Sequence, residues 1–468
     1  MDVLEPVGMT RGLVTPDTDR IAALERRMEA LELLCIARSG MERHCLVPHV
    51  PNGVASCPKK MPPGSKCSVK CNPGYLPSPG KDTATCKDDG FWSMEMECEI
   101  PLVIISGGLI DQGSGDSSME VISLYPSQGC DKKLSSMPLV DGVNRTLHNL
   151  LYLPKYGRIL ACNGLTDRHR ANCDELSLKT NGWMHSSYPH QGRDAEMQIC
   201  SWSDSSSCDH PDKNKGRYAA QGAVIEGRAY IIGGMVYDKN GHDPTKTIRS
   251  LTEVDKANID RYSLDKSDYW RGSKRMEKPR AFFCAAETEA GLVMIGGLSR
   301  DQKTSVVEKS VEYTPKNNIG GGHWVSGGRY KKDSKQLSDM SIPRSGHGCT
   351  TIGGNYSVLV TGGTQEFGGT ALSHAEVFSP EANSWKDIAS MNVGRFGHAV
   401  VAVGDKVFAI GGDDRNNNYM DTIEEYDTRR NTWTMKSQKL KKARSNFGFT
   451  IVPHSIFDGC VIQKPLNE

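Results

Sequence analysis

Six arginines recur at one place in a repeated pattern: Asn144-Arg145-Thr146, Gly216-Arg217-Tyr218, Pro279-Arg280-Ala281, Pro343-Arg344-Ser345, Gly394-Arg395-Phe396 and Ala443-Arg444-Ser445. Each stands a few residues before an apolar run, as Arg395 does before Ala399 to Val403. A guanidinium is a permanent cation whose planar fork matches carboxylate or sulfate with two bonds at once. Gathered at the mouth of a low-dielectric channel, such groups focus field and capture anions. The same arginines also suit hydrogen bonding between repeated units, and nearby acids such as Asp413 and Asp414 offer counterions.

Cysteine is the second reactive type. The chain has 15, an odd number, which leaves one thiol for an intermolecular bond, and Cys35 is the candidate. Cys200 and Cys208 bracket Ser-rich sequence and close a loop, and Cys162 with Cys173 forms a second local pair. Cys284 and Cys349 read equally as a pair or as buried thiols. Cys67 and Cys71 have metal-ligand spacing, but no second close pair or His pair completes a tetrahedral set, so no metal and no cofactor is assigned. His347 and His398 follow Arg344 and Arg395 by three positions and so belong to the repeat. With no Gly-rich phosphate loop, nucleophile elbow or His-Glu-x-x-His stretch, no catalytic residue is assigned.

The elements that must position these residues are short strands. A hydrophobic strand ends on diglycine at Gly107-Gly108, Gly233-Gly234, Gly296-Gly297, Gly362-Gly363 and Gly411-Gly412, with a degenerate copy at Asn163-Gly164. A further strand follows each, and most units then reach a Trp: Trp183, Trp270, Trp324, Trp385 and Trp433. A unit of about 50 residues with four strands cannot bury both faces alone, and that period is a propeller signature.

The diglycine strand and the following Tyr and Trp resemble the kelch repeat over residues 101–456, which implies an all-β, six-bladed kelch propeller. The first unit begins directly with its diglycine strand, while an orphan strand, Phe447 to Val452, trails the last. Pairing of that strand into the first blade would close the ring and remove an exposed edge. Some kelch propellers capture acidic peptides with arginines, so the resemblance implies a protein, acidic or glycan ligand at the channel mouth. It also brings a carbohydrate-processing alternative of the galactose-oxidase or sugar-isomerising type, and a second alternative, an intracellular kelch adaptor.

Residues 43–99 are cysteine-rich and poor in hydrophobics, so disulfides replace a core. The order Cys45, Gly53, Gly64, Cys71-Asn72-Pro73-Gly74-Tyr75, Thr85-Cys86, Gly90-Phe91-Trp92, Cys98 resembles a sushi module, also called a complement control protein module. That resemblance implies Cys45 paired with Cys86 and Cys71 with Cys98, leaving Cys57 and Cys67 as an added pair. Such disulfides imply a secreted, extracellular or lumenal glycoprotein. The sequons at Asn144 and Asn355 agree with that compartment.

The remaining segments complete the layout. Residues 1–17 are polar and show no secretory h-region, which implies a mature form or an incomplete start. Residues 18–36 place Ile21, Leu24, Met28, Leu31 and Cys35 at a/d spacing. They predict a short amphipathic helix suited to homo-oligomerisation through a coiled coil. Residues 457–468 read as a tail. With 57 Lys and Arg against 56 Asp and Glu, bulk charge argues against a nucleic-acid partner, and no stretch is long and apolar enough to span a membrane. The sequence thus predicts an extracellular recognition protein, not an enzyme.

Overall fold

The structure is a computed structural model. It describes residues 44–139, 143–165, 173–185, 218–225, 228–237, 244–247, 250–254, 270–275, 280–289, 291–300, 305–315, 325–326, 337–353, 356–366, 369–416 and 418–463. Five of the six blades are four-stranded antiparallel sheets in chain order. Blade two comprises Asn149–Leu153, Arg158–Cys162, Cys173–Ser177 and Gly182–His185, and blade three Gln221–Ile225, Arg228–Ile232, Ser250–Val254 and Trp270–Arg275. Blade four holds Cys284–Glu287, Gly291–Ile295, Val311–Pro315 and Val325–Ser326. Blade five holds Gly348–Ile352, Ser357–Thr361, Ala375–Ser379 and Ser384–Ile388. Blade six holds Ala399–Val403, Lys406–Ile410, Thr422–Asp427 and Thr432–Lys439. First strands lie beside one another: blade two's touches those of blades one and three, and blades three to six follow in sequence. Second strands read as continuous apolar runs because blades stack on both of their faces, as in Gly291–Ile295, buried throughout.

The ring closes as the orphan strand predicts. Gly448–Pro453 pairs with Pro101–Ser106, which pairs with Met119–Ile122, so the end of the chain supplies the first strand of blade one. A cysteine bridge reinforces this closure. Cys130 is bonded to Cys460, and Val461–Ile462 pairs with Ser127–Gln128 in a small sheet beside blade one, so residues 457–463 are docked on that blade and are not a tail. The bridge closes a loop with a sequence separation of 330, the length class in which chain-entropy stabilisation is greatest, about 5 kcal/mol.

The diglycines work through backbone conformation. Gly107 and Gly108 adopt φ of +62° and +93°, and Gly411 and Gly412 adopt +62° and +96°. A Cβ on Gly362 would sit 2.4 Å from the Arg395 carbonyl oxygen of the next blade. Diglycine is therefore where one blade's backbone meets the next. Asn163 takes the same left-handed conformation at +60°, which is why the degenerate copy still works.

The N-terminal module is held by Cys45–Cys86, Cys57–Cys67 and Cys71–Cys98, and its apolar centre is small: Val50, Ala84 and Met96 beside Cys67 and Cys98. In the propeller, Cys162 is bonded to Cys173 across neighbouring strands, and Cys284 to Cys349 between the first strands of blades four and five. Cys284 and Cys349 are thus a pair rather than free thiols. Cys35, Cys200, Cys208 and the predicted helix over 18–36 lie outside the described residues.

Candidate partner-binding face

The arginines are not at the surface. Arg280, Arg344 and Arg395 are fully buried, and Arg145 and Arg444 are nearly so. Each guanidinium donates into its blade: Arg280 to the Gly296 carbonyl at 2.6 Å, Arg344 to Gly362 at 3.0 Å, Arg395 to Gly411 at 2.7 Å and Arg444 to Gly107 at 2.8 Å. Arg145 donates to the Ala161 carbonyl at 2.6 Å. The backbone carbonyl of each accepts from the previous blade, as Arg344 does from Gly297 N–H at 2.9 Å. Each of these five arginines therefore clips two blades together. The expectation of a ligand-binding ring at Arg145, Arg280, Arg344, Arg395 and Arg444 is corrected, because buried cations already committed to internal acceptors cannot meet a ligand. Arg217 lies outside the described residues.

Three of the four counterions found among the described residues stand on third strands, and neither Asp413 nor Asp414 is one of them. Arg344 pairs with Glu376 at 2.8 Å and Arg395 with Glu424 at 3.1 Å, all with fully buried side chains, and Arg145 pairs with Asp174. Arg444 pairs with Asp116 at 3.2 Å. The glutamates also accept the backbone N–H three residues ahead of the arginine: Glu376 from Ser341, Glu424 from Asn392, and Glu120 in blade one from Lys441. Burial pulls the pKa of Arg344 and Arg395 downward, and the paired carboxylates push it back.

The histidines three positions on are also at blade seams. His148 Nε2 lies 2.7 Å from Ser106 Oγ and His398 Nε2 2.8 Å from Thr361 Oγ1, each hydroxyl preceding the diglycine of the neighbouring blade. Burial first, and the adjacent arginine second, hold both imidazoles down to a pKa of about 3, so they are neutral. Among the described residues no group of three or more His, Cys, Asp or Glu is arranged to hold a metal ion.

The open mouth is built just beyond the arginines. Two residues after each, Leu147, Ala219, Phe282, Gly346, Gly397 and Asn446 all have φ between +51° and +64°. Each donates its N–H to the carbonyl of its counterpart in the preceding blade, at 2.7–3.3 Å, and the six bonds form a closed circle. Around that circle one side is apolar, with Leu147, Leu165, Phe282 and Val307 half-buried over Tyr218, Met235 and Leu298. On the other side the exposed Arg415 guanidinium stacks 4.5 Å above the Phe396 ring, beside the buried Asp413. Arg415 also has φ of +71°, a conformation that a side-chain-bearing residue holds only where its surroundings impose it. Hairpins Leu109–Ile110 with Ser114–Gly115, Met235–Tyr237 with Pro244–Thr247, and Leu298–Arg300 with Ser305–Val307 rise from the same diglycine ends.

Comparison with known proteins decides the family of both parts. The profile described as Kelch motif matches residues 343–392 and 394–438, which are blades five and six with their leading arginines, and the profile described as Sushi repeat matches residues 45–98. This is a kelch-repeat protein with a sushi module. Kelch-like protein 7 of Rattus norvegicus is 39% identical over 69 residues, 15% of this chain and 12% of that protein. Kelch-like protein 4 of Homo sapiens is 40% identical over 58 residues, 12% of this chain and 8% of that protein. The chain thus spans a small part of the length of these relatives. A solved structure described as Structure of YjhT superposes with a TM-score of 0.50 at 13% identity, covering 72% of this chain and 98% of that one, a likeness of fold alone.

Within the kelch propeller, the sequons separate. Asn144 is half-buried, and its amide nitrogen donates to the Gly115 carbonyl at 2.8 Å, so a glycan there would displace an internal bond. Asn355 lies outside the described residues. Sequence reasoning missed the third-strand acids, although Glu120, Asp174, Glu312, Glu376 and Glu424 share one register against the second strand. It also missed an Asn two residues before Trp. Asn181, Asn383 and Asn431 take left-handed turns and accept the N–H of the segment leading into their blade, to whose backbone Trp183, Trp385 and Trp433 donate.

Proposed function

We propose that this protein is an extracellular recognition molecule that binds a protein or an acidic glycan through the mouth bearing Phe282, Phe396 and Arg415. The observation that carries the compartment is the set of disulfides. They hold the sushi module, join the propeller's ends through Cys130 and Cys460, and tie blades four and five together. Bonds of this kind form and persist in oxidising surroundings, and a fold locked by them is suited to work outside the cell. The loop face supports recognition for a separate reason: a rigid ring carries projecting hairpins, an apolar half-circle and one strained exposed cation. Oligomerisation through residues 18–36, with a Cys35 bridge, would multiply weak contacts by effective concentration.

The test is capture. Purified secreted protein is screened against sulfated and sialylated glycans and against extracellular protein ligands, alongside Arg415→Glu and Val306→Asp variants whose melting temperatures match the parent. Captured ligands should be lost from Arg415→Glu by at least tenfold. Equal capture by both variants would remove this face from the account, and turnover of a free sugar would replace recognition by catalysis.

A further inference from the structure

We infer that the sushi module is a fixed plug on the propeller: it seats against the turns between first and second strands, closes that mouth of the ring and leaves the opposite mouth to a partner. The last step rests on the recognition proposed above; the docking does not.

The two modules share almost no linker. Cys98–Glu99 pairs with Leu76–Pro77 inside the sushi module, and after Ile100 the chain is already in Pro101–Ser106 of blade one. Contacts then reach around the ring. At blade six, Gly74 lies against the turn after Ala399–Val403, so closely that a Cβ would sit 2.8 Å from both the Ala402 carbonyl oxygen and Val403 Cα. At blade five, the Lys70 ammonium stands 4.6 Å above the Tyr356 ring, and at blade four it lies 3.7 Å from the Glu289 carboxylate. Tyr75 packs on both the sushi centre and the propeller core. A pendant module would touch one neighbour and swing, whereas this one meets the same ends of the inner hairpins in several blades.

Glu99 decides how firmly it sits. This carboxylate is only 4% exposed, and it accepts from Ser78 Oγ at 2.9 Å on the sushi side. On the propeller side it accepts from Ser455 N–H at 3.0 Å and Ser455 Oγ at 2.9 Å. His454 adds a bond from Nδ1 to the Ile100 carbonyl at 2.9 Å. A buried carboxylate is stable only while such donors are in place. Ser455 stands two residues past the strand that closes the ring, so the contact that seats the plug also fixes the closing strand. The Lys70 pair is partly exposed and contributes little energy, but it marks position.

Zero-length carbodiimide cross-linking of the native protein, read by peptide mass spectrometry, tests the docking without any partner. A Lys70–Glu289 link should form alongside the Lys81–Glu97 link, whose atoms lie 2.6 Å apart within the sushi module and serve as the reference. Hydrogen exchange supplies a second readout: Gly74→Leu should speed exchange at Gly404 and Ser455 at least tenfold and leave the blade centres unchanged. Formation of the Lys81–Glu97 link without the Lys70–Glu289 link would overturn the plug, as would exchange at those turns that Gly74→Leu does not alter. Neither result touches the capture experiment, so the two proposals fail separately.

Discussion

His347 occupies the same seam position as His148 and His398, yet it faces Ile295 where they face Ser106 and Thr361. Neither of its ring nitrogens makes a well-formed hydrogen bond among the described residues, and burial drives its pKa well below the usual value. Elsewhere the seams are matched: Phe283 stands three residues after Arg280 where the second strand of blade three ends on Ile232, and Phe447 three after Arg444 where the second strand of blade six ends on Ile410. A poorly satisfied buried polar group costs up to about 1–3 kcal/mol, so His347→Phe should raise the melting temperature, while His398→Phe should lower it by stranding Thr361. A fall in both would show that the seam does not sort side chains by polarity. Arg395→Ala should cost about 3–5 kcal/mol, because Glu424 would be left charged and buried. Chemical denaturation measures that loss, and an unchanged midpoint would return Arg395 to the list of ligand-binding candidates.

At the scale of elements, the seams make the ring sensitive to acid. His148 and His398 are neutral when folded, with pKa values of about 3, and take up a proton near 6.5 when unfolded. Between those values the unfolded chain binds more protons, so stability falls as pH falls, by about 2 kcal/mol for each group at pH 5. Urea midpoints at pH 7 and pH 5 should therefore differ, and His398→Gln should narrow the gap; a flat profile would contradict neutral burial. Strands, diglycine stops and the trailing strand were legible in the sequence because each is a local pattern of apolar runs and turn residues. The arginine repeat was equally visible, but its role was not. Whether a cation at a fixed offset faces solvent or a neighbour depends on the acid in the third strand, some thirty residues away, and register cannot be read from spacing alone. Cys130 with Cys460 was hidden for the same reason, since only closure of the ring brings them together.

For the whole molecule, closure is the controlling event. Removing the chain after about Leu440 would take Arg444, Gly448–Pro453 and Cys460 together, exposing Pro101–Ser106 as an edge and breaking the circle of bonds through Asn446. Such a truncation should give no monodisperse protein, and a soluble, cooperatively melting product would contradict closure by the C-terminal strand. The same cysteine bridges support the extracellular compartment proposed above, so they bear on fold and function at once. The most direct test is alkylation of native, purified protein before and after reduction, followed by peptide mass spectrometry. The account predicts that Cys45, Cys57, Cys67, Cys71, Cys86, Cys98, Cys130, Cys162, Cys173, Cys284, Cys349 and Cys460 are all protected until reduction. Free thiols at the sushi cysteines and at Cys130 and Cys460 in folded protein would contradict it and return the chain to a reducing compartment.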